Sequence, residues 1–156
     1  MPTNRQLLIA MAIACFALLG GAHYFQHVKL MPPCPLCVIQ RYAFLFAGIF
    51  ALLAAFAKNQ KPWIALALVS ALGGAYTVGK HLYVLANPGF SCGIDPTTTL
   101  LNKLPTATVI PWLFEADGLC ESAGDLIMGL SIPHWSAVGF GLLAVGLLFT
   151  LLRRRA

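Results

Sequence analysis

The sequence predicts an all-α membrane protein, a four-transmembrane-helix bundle with one long loop outside the bilayer. Of its 156 residues, 59% are hydrophobic and only 10% charged, well outside the balance of a soluble globular domain. Charge-free windows run from Gln6 to Val28, Tyr42 to Ala57, Pro62 to Gly79 and Leu126 to Leu152. Such windows locate spans, because a spanning helix needs roughly 20 apolar residues and an ionised side chain at mid-bilayer is costly. The basic residues then divide between two sides: Arg5, Lys58, Lys61 and Arg153-Arg154-Arg155 on one, Lys29, Arg41, Lys80 and Lys103 on the other. The richer side is cytoplasmic and holds both termini. All five acidic residues fall in the loop on the opposite side. Residues 1–156 thus read as a single membrane domain with spans at about 7–25, 38–57, 62–81 and 135–152 and an outer loop over 87–134. The net charge of +5 supports no nucleic-acid reading, since no basic stripe or aromatic binding motif accompanies it.

The first segment resembles a signal peptide in its short polar start and in Gly20 and Ala22, but it is read as a retained helix. Cys15, isolated inside it, is a small apolar packing residue. Pro32-Pro33 imposes an extended backbone before the second span. Tyr42 to Ala57 gives only about 24 Å of helix against roughly 30 Å of hydrocarbon. Counting back from Lys58 therefore starts this span near Val38, with Cys37 at the outer surface and Arg41 one turn deeper. Lys58-Asn59-Gln60-Lys61 is a tight turn, Pro62 suits the first helical position, and Trp63 is an interfacial anchor. Gly73-Gly74 permits close helix approach in the third span, and Ala137 and Gly141 have small-x-x-x-small spacing in the fourth. Lys80 and His81 end the third span near the level of Arg41. The outer loop carries Pro88, Pro96, Pro105, Pro111 and Pro133, so it is no single helix. A short helical turn is expected over 97–104, and the apolar stretch 109–114 suits the membrane interface.

The chemistry centres on Pro33-Cys34-Pro35-Leu36-Cys37-Val38-Ile39-Gln40-Arg41. A C-x-x-C can be a dithiol redox centre, half a zinc site, or two packing cysteines. Zinc would need further Cys or His ligands; His23, His27 and His81 lie on the right side, but no second C-x-x-C exists. No metal is therefore expected. A helix start and a cation one turn away favour the reactive thiolate, the cation more strongly than the dipole. Arg41 shares a helix face with Cys37 at i+4. Cys34, Cys37, Cys92 and Cys120 all lie on the outer side, where an oxidising compartment permits disulfides. A disulfide between Cys92 and Cys120 would enclose 27 residues. Such a bond is either structural or one station of a thiol-disulfide relay. A relay needs an acceptor, and a lipid-soluble quinone is the natural two-electron candidate at a membrane.

The order C-P-L-C-V-I-Q-R opening a second span, a short basic turn, a long outer loop with two cysteines, and I-P-H-W entering a fourth span resembles the disulfide bond formation protein B (DsbB) family. The resemblance covers nearly the whole chain. It implies a bacterial inner-membrane thiol oxidase that regenerates the disulfide of a periplasmic DsbA-like thioredoxin-fold partner. Electrons would pass to ubiquinone or menaquinone, and the long outer loop would be periplasmic. Cys92 would be attacked by the partner's thiolate, Cys120 would resolve toward Cys34, and Cys37 would face the quinone beside Arg41. His81 would match a quinone-pocket histidine. Gln40, which replaces a carboxylate found in some relatives, and Cys15 take no role in that pattern.

Vitamin K epoxide reductase-like proteins combine similar parts but resemble a chain with its C-x-x-C placed late. Two further readings differ in class: a metal carrier or sensor using the outer cysteines, and a structural assembly factor. The carrier lacks the intramembrane ionisable residues that a transport path usually shows.

Overall fold

The computed structural model describes residues 3–87, 89, 96–120 and 126–153. Cys92, Glu121, Asp125, Arg154 and Arg155 lie outside them. Four long helices form the bundle: α1 (Asn4–Val28), α2 (Pro35–Phe56), α3 (Lys61–Ala86) and, after the loop, α7 (Ile132–Leu152). All four are long and apolar enough to cross a membrane, and the protein is an all-α, four-helix membrane protein. Among its described residues the loop forms the short helices α4 (Pro96–Asn102), α5 (Pro105–Val109) and α6 (Pro111–Phe114), and a small hairpin of β1 (Leu126–Ile127) and β2 (Leu130–Ser131).

Local sequence sets the boundaries. Thr3 and Gln6 form a reciprocal capping box at the start of α1, satisfying two otherwise orphaned backbone donors. A proline in the first turn opens α2, α3, α5, α6 and α7, where its missing N–H costs nothing. The hairpin pairs Leu126 with Ser131 and Ile127 with Leu130. Its two turn residues, Met128 and Gly129, both have positive φ, 54° and 85°, as a two-residue turn of the right twist requires.

The helices run past the charge-free windows because the backbone stays helical into the interface. α2 packs between α1 and α3, and α3 packs on α7, while the α1–α7 seam is looser. The buried faces follow the helical period. On α3 the stripe is Ile64, Ala67, Ala71, Gly74, Val78 and His81; on α2 it includes Val38, Phe44, Ala47, Ala51 and Ala54. The residues are small because, with lipid as apolar as the core, association relies on close packing. A Cβ on Gly74 would fall on the ring of Phe140, which itself stacks on Phe44 at 3.8 Å between centroids. Gly73 faces open space, so only one glycine of that pair makes a close approach. Gly141 likewise has no neighbour where a Cβ would stand; Gly139 and Gly146 make the close contacts of α7 instead. Trp63 packs against the core and beside Phe50. Outward-facing Val69, Leu72, Leu142 and Val145 are exposed, as a lipid-facing surface requires.

Candidate functional site

At one end of the bundle the core turns polar. Cys34 is the N-cap of α2, and its sulfur accepts the N–H of Cys37 at 3.2 Å. This cap, one helical turn wide, brings the two sulfurs to 2.7 Å from each other. His81 reaches them because it continues the buried stripe of α3, one turn beyond Val78. Its ring is fully buried, with Nε2 3.8 Å from the Cys34 sulfur and Nδ1 4.0 Å from that of Cys37. Gln40 donates its side-chain N–H to His81 Nδ1 at 3.2 Å, and Nε2 donates to the Cys120 carbonyl at 3.3 Å. Together the two bonds specify the neutral tautomer with its proton on Nε2.

The loop is carried to this point by backbone pairing. The carbonyl of Pro33 accepts the N–H groups of Asp117 and Gly118 at 3.1 and 3.0 Å. A Cβ on Gly118 would run into the Pro32 carbonyl, so glycine is what lets the strands meet. Asn102 holds the same segment from α4, with two hydrogen bonds to the backbone of Ala116. Cys120 thereby lies in one small cluster with Cys34, each 1% exposed, packed by Leu36, Cys37 and Val84. Cys120 is disulfide-bonded, whereas Cys15, Cys34 and Cys37 are free. The hydrogen bond with Cys37, and after it burial, raise the Cys34 thiol above its ordinary range, which keeps it protonated.

On the other side of Cys37 a cavity of about 380 Å³ opens between α1, α2 and α7, with Ile127 and Met128 of the hairpin on its wall. Its wall is mostly apolar and includes Cys37, Gln40, Arg41, Phe44, Gln26 and Trp135. His81 is not on that wall. Arg41 is only 7% exposed. Its Nη1 donates to Gln26 Oε1 and to the Leu113 carbonyl, both at 2.7 Å, and Nη2 donates to the Ala22 carbonyl at 3.5 Å. All three acceptors are uncharged, so among the described residues this buried cation is held by neutral groups where it borders the cavity. The shared helix face puts Arg41 below Cys37, but these acceptors turn its guanidinium toward α1 and α6. No hydrogen bond joins Arg41 to the Cys37 sulfur among the described residues, and it is His81 that contacts both sulfurs.

Phe114, at the end of α6, is buried against Tyr42 with rings 4.4 Å apart, while Trp112 is half exposed. The structure therefore brings together Cys34, Cys37, His81 and Cys120, and sets Arg41 on the far side of Cys37. Cys92 lies outside the described residues. Sequence reading missed Gln40 as the partner of His81 and Gln26 as the partner of Arg41. Gln40 was detectable as a polar residue one turn from Cys37 inside an apolar helix. His23 and His27, which the sequence places on the same side as the C-x-x-C, form an i, i+4 pair whose rings stand 4.2 Å apart.

A thiol pair at the head of a transmembrane bundle, Cys34 buried and Cys37 half-buried, pressed against a disulfide-bonded loop cysteine, defines a membrane protein equipped for disulfide chemistry. The family model for disulfide bond formation protein DsbB matches residues 4–150. The disulfide bond formation protein B of Herminiimonas arsenicoxydans is 48% identical, over 100% of both chains. That of Ralstonia nicotianae is 43% identical over 97% of this chain and 96% of its own. That of Burkholderia pseudomallei is 44% identical over 97% and 92%. The chain belongs to the DsbB family, whose members are bacterial membrane proteins, and is a disulfide bond formation protein.

Proposed function

We propose that the protein is a quinone-dependent thiol oxidase that reoxidises a periplasmic DsbA-like dithiol partner. The observation that carries this reading is that Cys37 has two differently equipped sides. One side, with Cys34, faces Cys120; the other lines an apolar cavity beside Arg41. The cavity volume lies within the range of small-molecule sites, and its apolar wall with one buried, uncharged-partnered cation suits the carbonyl end of a lipophilic ring.

In the proposed sequence the partner's thiolate attacks Cys92, releasing Cys120 as a thiolate. The partner's second thiol then resolves the mixed disulfide, leaving the partner oxidised and Cys92 and Cys120 reduced. Cys120 in turn attacks the Cys34–Cys37 disulfide at Cys34, freeing Cys37, and Cys92 closes on Cys120 to restore the loop bond. The net result is a dithiol at Cys34 and Cys37 that carries two electrons and two protons. Bound quinone supplies the two-electron, two-proton acceptor that restores the Cys34–Cys37 disulfide. Cys37 presents the sulfur to the cavity, Arg41 donates hydrogen bonds there, and the apolar wall excludes water. His81, off the cavity wall, is assigned to the thiol side, where it positions Cys34 against Cys120. On this orientation the cysteines face the periplasm and both termini the cytoplasm.

The test is anaerobic turnover of a reduced thioredoxin-fold partner by the purified protein with ubiquinone or menaquinone as sole oxidant. Cys37→Ser and Cys92→Ser should each abolish it. Full turnover by both variants would refute the reading.

A further inference from the structure

We infer that in the dithiol state Cys34, Cys37 and His81 form a binding site for a thiophilic metal ion of the zinc class, which holds the pair reduced. Their donor atoms lie within 4.8 Å of one another, and no other three Cys, His, Asp or Glu residues among the described ones converge in this way. A tetrahedral zinc site with Zn–S of about 2.3 Å and Zn–N of about 2.0 Å spaces sulfur and nitrogen roughly 3.5 Å apart and its two sulfurs roughly 3.8 Å apart. The 3.8 Å from Cys34 sulfur to His81 Nε2 is close to the first of these. The sulfurs, at 2.7 Å, must open by about an ångström, which a rotation of the Cys37 side chain provides, since that sulfur borders the cavity.

The surroundings match what metal-bound histidine requires. A ligating imidazole donates its other N–H to a fixed acceptor. Gln40 stands at that position, 3.2 Å from Nδ1. With the ion on Nε2 the hydrogen bond to the Cys120 carbonyl is given up, the ring proton moves to Nδ1, and Gln40 turns its amide to present its oxygen. Two thiolates and a neutral imidazole occupy three positions, leaving the fourth to water. Binding releases the two thiol protons and transfers no electrons. Both sulfurs then bond the ion, so neither can close the Cys34–Cys37 disulfide until the ion leaves. Free thiophilic metal would thus arrest the protein reversibly in its reduced form.

The site uses the same two cysteines as the proposed oxidase, but the test needs neither quinone nor partner, so each reading can fail alone. Full-length protein in detergent is reduced, freed of reductant and titrated anaerobically with Co²⁺ as probe. The expected result is one equivalent per chain with a thiolate-to-cobalt charge-transfer band and tetrahedral d–d bands, all displaced by Zn²⁺. Cys34→Ser and Cys37→Ser should each weaken the charge-transfer band, His81→Asn should remove tight binding, and Gln40→Ala should lower affinity about tenfold. Protein oxidised with diamide should bind no Co²⁺. Binding that keeps full affinity in His81→Asn would overturn the inference. So would binding without a charge-transfer band that disappears in the His23→Asn/His27→Asn double variant.

Discussion

Gln40 and His81, from adjacent helices, share a hydrogen bond of 3.2 Å between side chains that are 5% and 0% exposed. The bond fixes the imidazole between the C-x-x-C sulfurs and the Cys120 carbonyl. Gln40→Ala removes the amide partner of His81 Nδ1 and leaves it only the weak, more distant Cys37 sulfur at 4.0 Å, at a cost of about 1 kcal/mol. A lower midpoint of thermal unfolding in detergent is expected, together with slower exchange between the loop and C-x-x-C disulfides. An unchanged midpoint would show that the imidazole does not depend on this bond.

Arg41 engages three acceptors from α1 and α6 with a planar guanidinium. Lysine offers one compact ammonium and cannot reach all three. Arg41→Lys should therefore raise the KM for quinone about tenfold or more, for a loss of about 1.4 kcal/mol, with little change in KM for the thiol partner. Steady-state kinetics with each substrate varied in turn separates the two effects.

Gly74 and Gly73 are neighbours with opposite surroundings. Gly74→Ala places a methyl group on Phe140 and should destabilise by about 1–3 kcal/mol. Gly73→Ala meets nothing and should be neutral or slightly stabilising, since alanine is the better helix former. Denaturation of the two single variants side by side makes the comparison.

Gly118→Ala pushes the loop from the Pro32 carbonyl and so moves Cys120 from Cys34. The expected phenotype is selective: quinone still reoxidises the Cys34–Cys37 dithiol at the normal rate, while transfer from the loop cysteines slows. Rapid-quench thiol trapping resolves the two steps, and equal slowing of both would argue for general misfolding.

The Cys34 thiol is raised by its bond to Cys37 and by burial. A raised value leaves less thiolate at any given pH, so alkylation of Cys34 in the reduced protein should be slow at pH 8 and rise as pH increases. Cys37→Ser weakens the first cause and should speed labelling of Cys34 at that pH, as mass spectrometry of alkylated peptides would detect.

The four helices were legible from the sequence because the cost of placing a charge or polar group in hydrocarbon depends mainly on the residue itself. The same held for the C-x-x-C at the head of α2: Pro32-Pro33 and the length of the span carry the helix start back to the motif, and α2 begins at Pro35 with Cys34 as its N-cap. The direction of Arg41 was not legible. An i, i+4 spacing shows which face a long side chain starts from, and the acceptors at Gln26, Leu113 and Ala22, remote in sequence, decide where it ends. His81 was visible only as a histidine near the end of a span. Its meeting with both sulfurs follows from the rotational phase of α3 against α2, set by small residues such as Ala67, Ala71 and Gly74. The residues alone showed Cys120 only as a loop cysteine and the family resemblance implied its approach to Cys34; the physical cause of that approach is the pairing of Asp117 and Gly118 with Pro33. Solvation, a property read residue by residue, thus determined the bundle, and the local helix start paired Cys34 with Cys37. The tertiary structure decided how His81 and Cys120 converge on that pair, because directional bonds and steric fit between distant segments leave no local signal.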